Sequence, residues 1–555
     1  MSGALDVVVY YHQATKHDFY AYARGPGYLD WDTQPDPFRR YLGAPLVKLQ
    51  KVKPEEHPLY EPSFLVGNNP PVPLNFKSVS QLLFNSLAIS AWKRVGDVTW
   101  SLRVNPSSGN LHPTEGYVIC GPVEGLSDTP MVCHYAPKEH ALELRALFSP
   151  ETWRALTARL PPNTLLIGLT SIHWREAWKY GERAFRYCQH DAGHAMAALS
   201  IAAAGLGWQA TLLDDLGTGE LSYLIGVFDQ RGPEAERPDC LLAVYPQDQT
   251  CLTQELPPDA LTTFTTLSWK GNPNQLSPDH VDWPIIDDVA EATNKPRTYG
   301  IYDTSVSDGD VETNRKLSLV RPIHELPALP TSISLRKIIR QRRSAVDLDG
   351  HTTISRDIFY KILEKTLARP GRFPFNVLPW EPTIHLALFV HRVEDLEPGL
   401  YTLVRDPAKK EVLQSAMKAE FAWEKSEGCP ADLGLYRLVA GDARRLAKQS
   451  SCNQDIAADG CFSLGMIADF DEQLKRFGPW FYPRLFWESG MVGQVLYLEA
   501  EAAGIRGTGI GCFFDDPVHS VLGLRAMQYQ SLYHFTMGGP IEDARLTTLP
   551  AYPAD

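Results

Sequence analysis

Paired cysteines, basic runs and long apolar runs are what this sequence lacks. Its nine cysteines are an odd number and include no Cys-x-x-Cys pair, which excludes a disulfide framework and fits reduced thiols in a cytosolic protein. No cluster of Lys and Arg of the kind that tracks a polyanion occurs, and the formal net charge is -13; a general nucleic-acid surface is excluded on both counts. No stretch approaches the roughly 18 apolar residues a bilayer-spanning helix needs. The opening "MSGALDVVVYYHQATKHDFY" has neither a cationic start nor a small-residue cleavage site, so it does not read as a signal peptide. The expectation is an acidic, cytoplasmic protein that avoids membranes and nucleic acids.

What is present is enough for more than one core. The chain has 555 residues, 44% hydrophobic and 21% charged, a globular composition at a length that splits into domains. Self-similarity supplies the division. "QLLFNSLAIS" (81–90) resembles "KILEKTLARP" (361–370), "PVEGLSDTPMVCHYAPKEHALEL" (122–144) resembles "RVEDLEPGLYTLVRDPAKKEVLQ" (392–414), and "ALSIAAAGLG" resembles "LYLEAEAAGIR", with Gly205 facing Gly504. The order is kept, so one domain is written twice. Residues 71–250 form the first copy and 331–555 the second; 1–70 is an aromatic, Pro-rich extension expected to wrap the first copy, and 251–330 is a Pro-rich strap.

Within each copy the pattern is helix, loop, strands, a long helix with small and apolar residues all round, then strands. "IHLALFVHRV" (384–393) and "PDCLLAVYP" (238–246) read as strands, while "DAGHAMAALSIAAAG" and "SGMVGQVLYLEAEAAG" read as buried helices. Non-tandem strands mixed with helices give an α+β fold, not a βαβ ladder.

Four segments carry chemistry. "NPSSGN" holds Pro106, Ser107, Ser108, Gly109 and Asn110 in a loop whose amides and hydroxyls suit an acceptor-rich ligand. "RQRRS" ends a short helix with Arg342, Arg343 and Ser344; guanidinium groups grip phosphate through two oxygens at once, though a solvated basic face has the same composition. "GTGIGC" presents Gly509, Ile510, Gly511 and Cys512 after the long helix, where a Rossmann fingerprint would need a preceding strand. Glycine there either admits a planar ligand or merely stops the helix. Arg545 follows a Gly-Gly-Pro turn as a second phosphate contact or a plain surface residue. His190 and His194 share a helix face, but no third ligand accompanies them and no metal site is assigned.

Together, "NPSSGNLHPTEGY", "KYGERAFRY", "RRS", "GTGIGCFFDD" and "GGPIEDARL" resemble the SagB-type, azoline-oxidising dehydrogenases of the flavin-dependent nitroreductase superfamily. The resemblance implies a homodimeric α+β fold with FMN at the subunit interface, here fused into an intramolecular pseudo-dimer. It implies one composite site, with Arg342, Arg343, Ser344, residues 509–512 and Arg545 from the second copy and residues 106–110 from the first. The reciprocal site lacks both elements, so one FMN per chain is expected. It also implies Lys179 and Tyr180 as the base that deprotonates an organic or peptide-derived substrate while hydride leaves to the flavin. Two alternatives stay open: NAD(P)H-driven reduction of a nitro compound or quinone, and a degenerate flavin-binding protein without catalysis. The fused chain needs no second subunit to complete the site.

Overall fold

The computed structural model describes residues 2–52, 56–251, 253, 255–302 and 333–553. The strap expected over 251–330 is therefore described only in its first part, and residues 303–332 lie outside the described residues.

Two antiparallel sheets dominate. The first runs in the order Leu46–Lys48, Ala141–Leu147, Met131–Ala136, Thr114–Cys120, Leu165–Ile172, Glu236–Pro246, Trp208–Leu212. The second runs Leu435–Ala440, Gly399–Leu403, Ile384–Val390, Phe462–Asp469, Tyr529–Gly538, Arg506–Ile510. Apart from the added Leu46–Lys48 edge, the second repeats the first strand for strand, so the duplicated sequence is a duplicated α+β domain. The central strands Leu165–Ile172 and Phe462–Asp469 are buried along their whole length, the condition for sheets covered on both faces.

The long helices Ala184–Ala204 and Tyr482–Ala502 are the hub. Every residue of the first is buried, which its run of Ala and Gly permits. The two helices cross where a Cβ on Gly193 would collide with the backbone of Trp487 and one on Gly490 with that of His190. Only glycine admits so close an approach. Two reciprocal ion pairs bracket the crossing. Arg186 of the first helix reaches Asp515 in the second copy at 2.8 Å, joined by Arg183 at 3.0 Å. Arg484 of the second helix reaches back to Asp214 in the first, with Nε to Oδ2 at 3.0 Å.

The ends of the chain cross between copies. The N-terminal helix Ser2–Ala14 sends His12 against Tyr482 and Gln530 of the second copy, each at 3.1 Å, while Arg40 pairs with Glu139 and Glu143 of the first. The extension thus spans both copies instead of wrapping the first alone. At the other end, Thr547–Leu549 pairs with Ile89–Val95 of the first copy, and Tyr552 donates to the Pro137 carbonyl at 2.7 Å. The hairpin that accepts this arm, Ile89–Val95 with Val98–Arg103, is the insertion that lengthens the first copy before the Pro-Ser-Ser-Gly loop. Among the described residues no helix is long and apolar enough to cross a membrane.

A buried charged cluster in the first copy gives a testable property. His134 sits 2.9 Å from Glu143 and 3.0 Å from Glu115. Burial disfavours the charged ring, but the two carboxylates overcome it and raise the imidazole to about 9. A folded value above the unfolded one of roughly 6.5 means that this contribution is complete below about pH 6.5 and lost as pH rises through 9. Urea unfolding is expected to lose about 3 kcal/mol from this group across that window. His134→Gln should flatten that decline; an unchanged slope rejects the assignment.

Candidate functional site

A cavity of about 440 Å³ opens at the seam between the copies, within the size range of drug-sized ligand sites. Pro106, Ser107, Ser108, Gly109 and Asn110 form its wall from the first copy, while Arg342, Arg343, Ser344, Gly509, Ile510, Gly511 and Cys512 form its wall from the second. Tyr180 lines it too. Lys179 stands just behind: a Cβ on Gly109 would lie 2.6 Å from the Tyr180 hydroxyl and 3.2 Å from the Lys179 ammonium. Segments more than 400 residues apart in sequence thus face one space.

Arg545 is the exception. Its side chain is 81% exposed, pairs with Asp543 at 2.7 Å and is not part of the cavity wall. The preceding Asp543 captures the guanidinium locally, a contact that neighbouring residues in a turn make at little cost in ordering.

Local backbone chemistry explains each wall. In the first-copy loop, Gly109, Asn110 and His112 all take left-handed backbone, with φ of 58°, 61° and 54°, so the chain doubles back on itself. The Ser107 hydroxyl accepts from the His112 amide at 2.8 Å, and the Ser108 amide and hydroxyl donate to Asp191 at 3.1–3.2 Å. The glycine-rich segment of the second copy differs from the expected loop: Arg506–Ile510 is the edge strand of the sheet. Its glycines serve the face behind it, because a Cβ on Gly507 would overlap Phe535, one on Gly509 would overlap Tyr533 and one on Gly511 would overlap Tyr187. Absence of side chains lets the strand lie flat on three aromatic rings.

One end of the cavity is cationic. Arg342 is buried, donates to the carbonyls of Arg103 and Val104 at 3.0 and 3.3 Å, and leaves its Nε without a partner. Burial together with Arg342 and Arg340 pushes Arg343 down to about 10. Burial and Arg343 also lower the Lys93 ammonium. Arg506 is held by Glu542 at 2.6 Å. Burial and crowded positive charge depress these groups together, an electrostatic setting that attracts an anion.

The opposite end stores protons. Burial pushes Asp191 up to about 7. Burial and the neighbouring Asp191 push Glu176 well above the usual carboxylate range. Burial and Glu176 push the Tyr180 phenol well above 10, so near neutral pH its hydroxyl stays protonated. That disfavours Tyr180 as a base and suits it as a donor. Asp191 and Glu176 escaped the sequence reading; the only signal for Asp191 was an acidic residue inside a helix rich in small and apolar residues, and Glu176 in the polar helix His173–Tyr180 gave none. Lys93, Tyr187 and Tyr497 gave none. His194 is engaged with Gln494 and Tyr533 at 3.3 and 3.2 Å, and His190 stacks on Tyr533 at 4.3 Å.

At the position of the first copy that corresponds to the glycine strand, Trp208–Leu212, the buried Trp208 donates to the Val72 carbonyl at 2.9 Å and the backbone of Pro70 packs against Gly207.

Residues 339–539 match the nitroreductase family model. No curated protein matches the chain. Among solved structures, a candidate nitroreductase from Anabaena variabilis ATCC 29413 is 21% identical, with a TM-score of 0.69 over 96% of this chain and 99% of that one. The whole two-domain arrangement is therefore shared with another protein of equal extent. A second candidate nitroreductase, from Ralstonia eutropha JMP134, is 15% identical with a TM-score of 0.27, covering 39% of this chain and 88% of its own. The Escherichia coli microcin synthetase McbBCD complex, with truncated pro-MccB17 bound, is 15% identical with a TM-score of 0.27, covering 44% of this chain and 86% of that one. Neither of these two adds to the fold assignment.

Proposed function

We propose that the chain is an FMN-dependent oxidoreductase of the nitroreductase type, SagB-like, with one FMN held between its copies. The observation that carries this reading is the pairing of a crowded cationic end with a Pro-Ser-Ser-Gly loop across one cavity. The residues fit a ligand bearing a phosphate: the unpartnered Arg342 Nε and the crowded positive charge around Arg343. FMN, once bound, supplies hydride acceptance and donation; the protein positions and tunes it.

The roles of the residues follow from their placement. Arg342 and Arg343 neutralise the phosphate, with Lys93 and Arg506 behind them. Ser107 and Ser108 orient the ring from the first copy, buttressed by Asp191. Lys179, over the Tyr180 ring at 5.3 Å, takes a proton from substrate carbon in its free-amine form, and Tyr180 donates a hydrogen bond. Asp191, poised near neutrality, exchanges a proton with the hydroxyl of Ser108 in the cavity wall. The substrate is a small organic or peptide-derived molecule. The reverse traffic, in which NAD(P)H delivers hydride to the flavin for a nitro compound or quinone, uses the same grip.

Purified full-length chain saturated with FMN and freed of excess is expected to retain one flavin per chain. Two flavins per chain, or none, overturns the composite site. Rapid mixing of the loaded protein with NADPH then tests direction: bleaching of the visible flavin band within seconds assigns the reductase, and a stable band rejects NADPH as the reductant.

A further inference from the structure

Cys452 and Cys512 come from segments 60 residues apart, and their sulfurs lie 2.7 Å from each other, within hydrogen-bond reach. Both are partly exposed, whereas Cys120, Cys133, Cys188, Cys240 and Cys461 are buried. Cys512 lines the cavity, as does Gln454, whose amide donates to the Cys512 carbonyl at 2.9 Å. The backbone is bent to make the meeting: Cys452 and Asn453 are consecutive left-handed residues, with φ of 53° and 58°. Neither is glycine, and such conformations persist where surrounding contacts enforce them. Here the enforcing contacts are the Phe514 amide on the Ser450 carbonyl at 2.8 Å and the Gln454 clamp.

A third residue borders the pair. His17, from the N-terminal extension, accepts the Ala23 amide on Nδ1 at 2.9 Å. Burial lowers its imidazole below the ordinary value, so the ring is neutral and its one proton is on Nε2. The ring lies beside the Cys512 sulfur and favours its thiolate form. The neighbouring Cys452 thiol, with His17 and Arg183 nearby, lowers the Cys512 thiol below the ordinary cysteine value. Arg183 is itself anchored by Asp515.

We propose that Cys452 and Cys512 form a thiol–disulfide exchange site in the cavity wall, with Cys512 as the attacking thiolate, Cys452 as the resolving thiol and small-molecule disulfides as the substrate class. In the first step the Cys512 thiolate attacks one sulfur of R–S–S–R, forming a Cys512–S–S–R bond and releasing one R–S⁻, which takes a proton to become R–SH. In the second, Cys452 loses its proton and attacks the Cys512 sulfur, releasing the second R–S⁻, which becomes R–SH by taking that proton. Two protein thiols are oxidised to one disulfide and one small disulfide is reduced to two thiols. A low-pKa attacking thiol beside a resolving thiol is the arrangement that favours this sequence. The oxidised state ties residues 450–454 to the end of the glycine strand and so couples the shape of the cavity to the thiol redox poise. Neither thiol needs a bound flavin to react, so the proposal stands apart from the flavin reading.

The test is equilibration of the full-length protein with excess glutathione disulfide, blocking of free thiols, and peptide mass mapping. The expected result is a Cys452–Cys512 linkage in the wild type. Cys452→Ser should stop at a glutathione adduct on Cys512, and Cys512→Ser should leave Cys452 modified at least ~10-fold more slowly. Recovery of both residues as free, alkylated thiols in the wild type overturns the proposal, as does a Cys512→Ser protein that reacts at the wild-type rate. The wild-type arm needs no variant to fold.

Discussion

Replacing Arg343 by Ala is expected to weaken FMN binding by roughly 10- to 150-fold, the loss of one charge-assisted contact worth about 1.5–3 kcal/mol. Arg343 is the better probe of the two arginines. Arg342 spends one nitrogen on the carbonyls of Arg103 and Val104 at 3.0 and 3.3 Å, so its removal also loosens the seam, whereas Arg343 donates chiefly to the carbonyls of Arg340 and Arg342 in its own turn and reaches Ser90 across the seam only at 3.5 Å. Its guanidinium is held down to about 10 by burial, Arg342 and Arg340. An incoming phosphate dianion relieves that repulsion, so the sign is unambiguous: binding an anion is favoured, and removing the cation weakens it. Arg343→Lys should recover only part of the affinity, because an ammonium offers a point charge in place of a two-pronged grip. Quenching of flavin fluorescence on titration measures both variants. Affinity equal to wild type in Arg343→Ala would place the phosphate elsewhere.

The readable parts of this chain were those whose chemistry is local. A left-handed turn at Gly109, a Pro-Ser-Ser segment and three closely spaced arginines announce themselves in any context. So do two long helices of small residues, and their repetition made the duplicated sheets foreseeable. Glycine in 506–511 was ambiguous, because the reason for it lies in Tyr533, Phe535 and Tyr187, which reach the strand only after the sheet and the seam have formed. Arg545 was misplaced because its capture by Asp543, two residues earlier, satisfies it before it can reach the cavity. Cys452 has no partner in its own neighbourhood; 60 residues separate it from Cys512, and no periodicity connects them. The crossed ends of the chain escaped for the same reason. The pairing of Thr547–Leu549 with Ile89–Val95 joins the last segment to the first copy, a contact between distant stretches that neither encodes alone.

The seam that creates the cavity is itself held by charge, and Asp515 is where it is weakest to attack. Asp515 is fully buried and receives Arg186 at 2.8 Å, Arg183 at 3.0 Å and the His17 amide at 3.0 Å. Burial opposes its ionisation, but the two guanidinium groups overcome that and hold the carboxyl well below its usual range. Asp515→Ala leaves two buried cations without their counter-charge, and the expected cost is about 3–5 kcal/mol in urea unfolding. Because the folded value lies below the unfolded one of roughly 3.9, the contribution is present above about pH 4 and disappears as pH falls through the folded value. Wild-type stability should therefore drop more steeply on acidification below about pH 4 than that of Asp515→Ala. Asp214→Ala, which strips Arg484 of the pseudo-symmetric partner, should be destabilising in the same sense. The two variants separate in the thiol assay: loss of Asp515 frees Arg183 and the His17 amide beside Cys512, whereas Asp214 has no contact with that corner. Equal thiol reactivity in both variants, or a loss below about 1 kcal/mol in Asp515→Ala, would mean that apolar packing of the crossed helices, and not this ion triad, holds the copies together.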